Sequence, residues 1–340
     1  MKILSASTIA IMLKRLGEPR GFHKIVVATL VSSPGEHIMS AVLTDLTVKR
    51  LAGSLGAEVS GISLANPQPH DIQTIRQLLL THLVLFFPGQ NLSVDEHVAF
   101  GANFGELEAH PNLNNPFTQH PQIFELAASH GGLADEWHSD ITFEKHPSIM
   151  SILNMVQSPE VGGDTMWASA YAAYEGLSAP LRDLCDGLTA LHDAAPHGRP
   201  EQTWIHPVVR KHPETGRKSL FVNEHFTRRI VELSHVESEM LLNYLVKWVS
   251  SPSFTVRYSW EAGTIAMWDN RCTQHYVLSD FSEQRIIQRV TIMGDTPEAA
   301  CPPRWESYVR PTLVGATSRF DKQLNKHLGK KIKFLEDNAD

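Results

Sequence analysis

The sequence predicts a mainly β fold, an antiparallel core with helical insertions, and three observations carry that prediction. Short runs rich in β-branched and aromatic residues recur along the chain, punctuated by Gly162-Gly163, Gly216 and Gly263. Helical periodicity is confined to a few segments, two of which open on a Ser-x-x-Glu capping box. No internal repeat, low-complexity tract or Ser/Gly linker divides the sequence, so one domain over 39–295 and a tail over 296–340 account for it.

Residues 1–38 are basic and loosely apolar, with Lys14, Arg15, Arg20 and Lys24 and no sustained period. Leu13-Lys14-Arg15-Leu16 interrupts the only stretch resembling a signal peptide, and Glu18 and Glu36 weigh against a transit peptide. The expectation is a disordered extension or a translation start placed too early. Val48–Leu51 and Ala57–Ile62 read as strands, closed by Gly53 and by Asn66-Pro67. Ile72–Leu80 spaces its apolar residues as a helix does, and Val84–Phe87 is a continuous apolar run stopped by Pro88-Gly89, as a buried strand would be. Ser93 with Glu96 opens a helix through Phe104, and Ser234 with Glu237 opens another over Val236–Val249. A third helix is expected over Ala170–Leu191, broken near Pro180. Ile149–Val156, Ser219–Val222, Phe254–Trp260, Thr264–Trp268 and Ile286–Met293 supply the remaining strands. In the tail, Pro302-Pro303 and Trp305 are expected against the core, and Lys330, Lys331 and Lys333 in solvent.

A chain of 340 residues with 42% hydrophobic and 20% charged residues is an ordinary globular one, long enough to need no disulfide or structural metal. Any metal site in it is therefore expected to be functional. The formal net charge of −7 is spread along the sequence and offers no footprint for nucleic acid. No run approaches the roughly 20 apolar residues of a membrane span. Cys185, Cys272 and Cys301 are odd in number and lack CxxC spacing, which fits a reducing compartment and a cytoplasmic location.

The chemistry gathers around Trp137-His138-Ser139-Asp140. In an extended chain positions i and i+2 share a face, so His138 and Asp140 can bind one cation. With 18 histidines in the chain, about one His-x-Asp arises by chance, so the pair needs context. His275 supplies it, close after Trp268-Asp269-Asn270, with Arg285 and Arg289 following shortly. Two histidines and one carboxylate leave three adjacent metal positions open, as non-haem Fe(II) requires when a co-substrate and dioxygen bind side by side; a zinc hydrolase needs fewer. Arg285, Ile287 and Arg289 fall at alternate positions, so both guanidinium groups face one side, where each can hold a carboxylate or sulfonate.

Over Thr47 to Asp295 the sequence resembles the taurine dioxygenase and 2,4-dichlorophenoxyacetate dioxygenase family of Fe(II)/2-oxoglutarate enzymes, nearest the taurine branch. The resemblance rests on Gly56-Ala57, Phe104-Gly105-Glu106, Trp137–Phe143, Gly162-Gly163-Asp164-Thr165, His206–Arg210, Phe221–Ile230, Trp268–Tyr276 and Arg285–Asp295. It implies a double-stranded β-helix, the cupin-like jelly roll, in which His138, Asp140 and His275 are the iron ligands. Thr165 and Arg285 would hold the C5 carboxylate of 2-oxoglutarate, and Arg289 would pair with an anionic group of the prime substrate. The implied reaction consumes O2 and 2-oxoglutarate, hydroxylates the substrate and releases succinate and CO2.

Three positions that meet taurine in the family read His110, Leu113 and Ala134 here, so only the histidine is kept, at roughly 1–3 kcal/mol for each buried hydrogen bond left unmade. Phe226 matches a substrate-packing aromatic, and Ala194, Ala195, Pro196 and Gly198 stand where a covering loop is usually bulkier. The expected substrate is thus a small organic anion with a larger apolar body: an alkyl sulfonate, an alkyl sulfate ester or an aryloxyalkanoate. The rival readings are a zinc hydrolase of an anionic ester and a non-enzymatic jelly-roll binding protein. A homo-oligomer is compatible with the family.

Overall fold

The structure, a computed structural model, describes residues 8–11, 22–32, 39–108, 120–128 and 134–308, with side chains from Leu46 onward. His110, Leu113 and the basic tail at Lys330, Lys331 and Lys333 lie outside the described residues.

The chain runs through β1 (Thr8–Ile11), β2 (Phe22–Ser32), β3 (Met39–Arg50), β4 (Ala57–Ser60), α1 (Pro69–His82), β5 (Val84–Phe87), α2 (Val94–Ala102) and β6 (Phe124–Ala128). It continues through β7 (Met150–Gln157), β8 (Thr165–Ser169), α3 (Ala170–Gly176), α4 (Ala179–Asp186), β9 (Thr189–Ala194), β10 (Arg199–Pro207), β11 (Val209–Lys211) and β12 (Lys218–Leu220). Last come β13 (Thr227–Ile230), α5 (His235–Val249), β14 (Thr255–Tyr258), β15 (Ile265–Asp269), β16 (Thr273–Val277), β17 (Arg285–Ile292) and β18 (Glu298–Ala299). β1 and β2 fall in the stretch expected to be an extension, and they continue the antiparallel pairing outward from β3.

One sheet has the order β1-β2-β3-β4-β5-β15-β7-β17-β6 among the described residues, and a smaller one the order β14-β8-β16. The alternation of side chains sorts the core into two layers. Leu85 and Phe87 of β5, Ile265 and Met267 of β15 and Val290 and Ile292 of β17 pack with α1 and α2. Their neighbours Val84, Phe86, Ala266, Trp268 and Ile287 point the other way, onto Trp167 and Val256 of the smaller sheet. Val84–Phe87 is therefore buried on both faces, which is why it reads as an unbroken apolar run. A third cluster, with Leu242, Leu245 and Val249 of α5 over Val209, Leu220 and Ile230, covers the far side. Two opposed, largely antiparallel sheets with helices outside are the jelly-roll arrangement.

Both capping boxes form as expected: Ser93 caps α2 with Glu96, and Ser234 caps α5 with Glu237. The helix expected over Ala170–Leu191 is instead α3 and α4, ending at Asp186, and Thr189–Ala194 is a strand. Gly187 ends α4, and the next residues are claimed by pairing on both sides, with β10 and with β13. β16, Thr273-Gln274-His275-Tyr276-Val277, carries polar residues inward and so lacks the alternating pattern of an ordinary strand.

Candidate active site

The site lies between the two sheets. His138 follows β6 and joins the smaller sheet by an antiparallel bridge to His275, with His138 N–H donating to His275 O at 3.1 Å and His275 N–H to His138 O at 2.8 Å. This bridge ties together two residues far apart in sequence and brings their rings to 4.1 Å between centroids. Asp140 completes the group: its Oδ1 is 3.9 Å from Nε2 of each histidine. The ligand atoms of all three side chains fall within 4.8 Å of one another, and all three residues are buried.

Asp140 is held from three sides. Asn270 Oδ1 accepts its backbone N–H at 2.8 Å, while Asn270 Nδ2 donates to Asp140 O at 3.1 Å and to Ser148 O at 2.9 Å. Ser151 of β7 donates to Oδ2 at 2.8 Å, and Arg289 Nη1 donates to Oδ1 at 2.8 Å. Burial alone would raise the Asp140 carboxyl, but the Arg289 guanidinium beside it, with the Ser151 hydrogen bond, holds it well below the usual carboxylate range. The next residue, Ile141, takes φ of +47°, the left-handed region that a β-branched residue rarely adopts, at the start of the turn that follows Asp140.

Burial lowers both imidazoles, so they are neutral and can act as ligands. His138 Nδ1–H donates to Glu136 O at 2.8 Å, which leaves the Nε2 lone pair facing Asp140. Two neutral Nε2 atoms and one ionised carboxylate fit a divalent transition metal.

The second anchor lies on the strand face predicted from alternate positions. Arg285 of β17 is 3% exposed, donates Nε–H to Gly163 O at 3.1 Å and Nη2–H to Thr165 Oγ1 at 3.4 Å, and no described carboxylate forms an ion pair with it. Burial pushes its guanidinium down to about 10, with Asp164 offsetting part of the effect. A buried cation with two neutral partners has a strong demand for an anion. Thr165 is also fixed by Trp260 Nε1–H at 2.9 Å. Gly163, at φ +67°, has no room for a side chain, since a Cβ there would meet Pro159 at 2.9 Å and Arg285 Cδ at 3.3 Å.

Phe226 belongs to a small buried apolar group with Ile141, Phe143 and Ala194, and its ring lies 6.3 Å from that of His138. Ala134 is placed beside the site through its carbonyl, which accepts Val277 N–H at 2.9 Å. The structure gathers His138, Asp140 and His275 with Arg289 and Phe226, and pairs Arg285 with Thr165, while sequence reading misses Asn270, Ser151 and Trp260 as their supports. The adjacency of Asn270 to Trp268-Asp269 is the only hint the sequence carries.

A second buried group, His212, Asp269 and Cys272, is equally compact. Its lone pairs are taken: His212 Nε2–H donates to Asp269 Oδ2 at 2.9 Å, and Nδ1 accepts the backbone N–H groups of Glu214 and Thr215, each at 3.2 Å. Arg271 grips the same carboxylate at 2.9 and 2.7 Å. This is a brace under the Asp269-Asn270 turn.

Comparison with known proteins agrees with this geometry. The family described as "Taurine catabolism dioxygenase TauD, TfdA family" matches residues 47–291. An "Alkylsulfatase" of Acinetobacter baylyi is 38% identical over 281 residues, covering 75% of this chain and 87% of its own length. An "Alpha-ketoglutarate-dependent sulfate ester dioxygenase" of Pseudomonas putida is 37% identical, covering 74% of this chain and 91% of its own. The crystal structure of a taurine dioxygenase from Burkholderia xenovorans superposes with a TM-score of 0.69 at 38% identity, covering 77% of this chain and 94% of that one. No helix among the described residues is long and apolar enough to cross a membrane.

Proposed function

We propose, because the chain belongs to the TauD/TfdA family of taurine catabolism dioxygenases, that its prime substrate is an alkyl sulfate ester or alkyl sulfonate with an extended apolar body. The chain is an Fe(II)- and 2-oxoglutarate-dependent dioxygenase. In our reading His138, Asp140 and His275 hold the iron, and Thr165 and Arg285 take the C5 carboxylate of 2-oxoglutarate. When bound, the iron and its co-substrate supply the oxidising power that inserts oxygen from O2 into a C–H bond.

The protein's own residues bind and orient. The buried Arg285 cation provides the counter-charge for a dicarboxylate. Arg289, on the same strand face as Arg285 and beside Asp140, places an anionic headgroup next to the metal ligands. Phe226, Phe143, Ile141 and Ala194 offer an apolar wall suited to the substrate's body, and His110 is proposed to complete the headgroup site. Two of the relatives most similar to the chain are named for sulfate esters, which favours that class. Hydroxylation of the carbon next to the sulfur-bearing group gives a product that breaks down to a carbonyl compound and sulfate or sulfite. The observation that carries this reading is the pair of arginines on one face of β17, one beside the metal ligands and one buried without a carboxylate.

The test is an anaerobic absorption titration of the metal-free protein with Fe(II) and then 2-oxoglutarate. A visible charge-transfer band is expected in the wild type and not in His138→Ala. Succinate formation is then measured with alkyl sulfates, alkyl sulfonates and aryloxyalkanoates in turn. Absence of the band overturns the metal and co-substrate assignment, and succinate formation only with aryloxyalkanoates overturns the substrate class.

A further inference from the structure

One side chain beside the metal ligands has no role in the reaction as described so far. His225, next to Phe226, has its ring 5.4 Å from that of His138, 4.5 Å from that of Phe226 and 6.0 Å from that of His197. The element that carries it is docked onto the ligand loop, where Glu224 N–H donates to Trp137 O at 3.1 Å. His225 Nδ1 hydrogen-bonds Glu136 Oε2 at 2.6 Å. Glu136 also supplies, through its backbone carbonyl, the bond that orients His138. No described residue hydrogen-bonds His225 Nε2, and the side chain keeps 15% of its surface exposed. A carboxylate that accepts from Nδ1–H leaves a lone pair on Nε2 and fixes its direction, the arrangement of an oriented base.

We propose that the Glu136–His225 dyad is the base that completes the reaction, a proposal that rests on the sulfonate or sulfate ester reading above. After hydroxylation a sulfonate is R–CH(OH)–SO3⁻. Its breakdown requires the hydroxyl proton to leave as the carbon–sulfur bond breaks. His225 Nε2 accepts that proton, the O–H electron pair forms the C=O bond, and the C–S electron pair departs with sulfur as sulfite. For a sulfate ester the bond broken is the C–O bond to the sulfate, and sulfate leaves with its electron pair. His225 is the catalytic residue of this step, and Glu136 is a positioning residue that acts through it.

The experiment uses the full chain loaded with Fe(II) and 2-oxoglutarate, 1-hexanesulfonate as substrate, and neutral buffer, in which an imidazole can act as a base, with samples quenched into mild acid, in which free α-hydroxysulfonates break down slowly. Succinate and free sulfite are measured in samples quenched early in the reaction. In the wild type the two are expected to rise together. In His225→Ala and His225→Gln, sulfite should lag while succinate continues, lowering the early sulfite-to-succinate ratio at least about tenfold, since a positioned base contributes roughly 10²–10⁴-fold. Glu136→Gln should show a smaller lag. Because the ratio is taken within one sample, a partly folded variant does not distort it. Sulfite that keeps pace in both His225 variants overturns the proposal, as does a lag already present in the wild type. Failure of the substrate reading looks different: with the wild type no succinate forms from 1-hexanesulfonate or hexyl sulfate, and the dyad proposal then falls with it.

Discussion

Replacing Asn270 by alanine tests whether the ligand loop is held from outside the ligand set. The amide is 1% exposed and satisfies Asp140 N–H, Asp140 O and Ser148 O with both of its ends. Truncation leaves three buried backbone groups without that partner. At the low end of about 1–3 kcal/mol per unsatisfied buried group, the loss is about 3 kcal/mol. For a domain of this size each kcal/mol lowers the melting temperature by about 2–4 °C, so a fall of about 6–12 °C is expected by calorimetry of the metal-free protein. Asp140 would also lose its pre-set direction, and metal affinity, measured by calorimetric titration with Mn(II), should fall about 10–100-fold. Asn270→Asp should do no better, because its second oxygen would face the two carbonyls that now receive N–H bonds. A melting temperature within about 2 °C of the wild type, or undiminished metal affinity, would refute the reasoning.

Three further outcomes are expected. Arg285→Met should weaken 2-oxoglutarate binding at least about 30-fold in anaerobic titrations while leaving the melting temperature of the metal-free protein unchanged or higher, since it removes a buried cation that no described carboxylate ion-pairs directly. Gly163→Ala, which places a Cβ against Pro159 and the stem of Arg285, should raise the KM for 2-oxoglutarate with little effect on metal binding. His97, buried in α2 with Nε2–H donating to Ile152 O at 3.1 Å, has its imidazole pushed down to about 4 by burial. Between that value and the ordinary one near 6.5 the unfolded chain binds a proton that the folded chain refuses. Stability is therefore intact above pH 6.5 and falls as the pH drops toward 4. From pH 6.5 to pH 5 this one group contributes about 2 kcal/mol to the loss, at about 1.4 kcal/mol per pH unit. In urea unfolding His97→Met should lose less stability over that range by about the same amount, and an unchanged pH dependence would refute it.

The sequence made the site more legible than the fold around it. Arg285 and Arg289 lie four apart on β17, so geometry on one strand suffices to place them on one face, whereas His138 forms a single bridge and Asp140 opens a turn, so the strand spacing read for that pair is not what joins them. Thr165 and Phe226 could be placed only through resemblance, because their partners come from other strands. Helix starts were visible where a Ser-x-x-Glu capping box marks them, at Ser93 and Ser234, but not at α1, whose box is built from Gln68 and Asp71. Among the strands that escaped notice, β9, β10 and β16 carry the buried His192, His206 and His275 and lack the apolar alternation that identifies a half-buried strand.

Composition alone would not have separated the two buried clusters. His138, Asp140 and His275 resemble His212, Asp269 and Cys272 in residue type, burial and compactness, and the second group even contains a thiol. What differs is the fate of each lone pair. In the second group the imidazole nitrogens are used by Asp269 and by two backbone amides, and burial raises the Cys272 thiol well above its ordinary value, so it is no thiolate. Among the imidazole nitrogens of the first group only Nδ1 of His138 is hydrogen-bonded to another residue, through a backbone carbonyl, which points Nε2 inward. The two groups are linked through the Asp269-Asn270 turn: Arg271 and His212 hold Asp269, and Asn270, one residue on, holds Asp140. The satisfied cluster thus acts as the rigid mount of the unsatisfied one. His212→Ala should accordingly weaken metal binding at His138, Asp140 and His275, with no change in their identity as ligands, and a metal affinity unaffected by it would break that link.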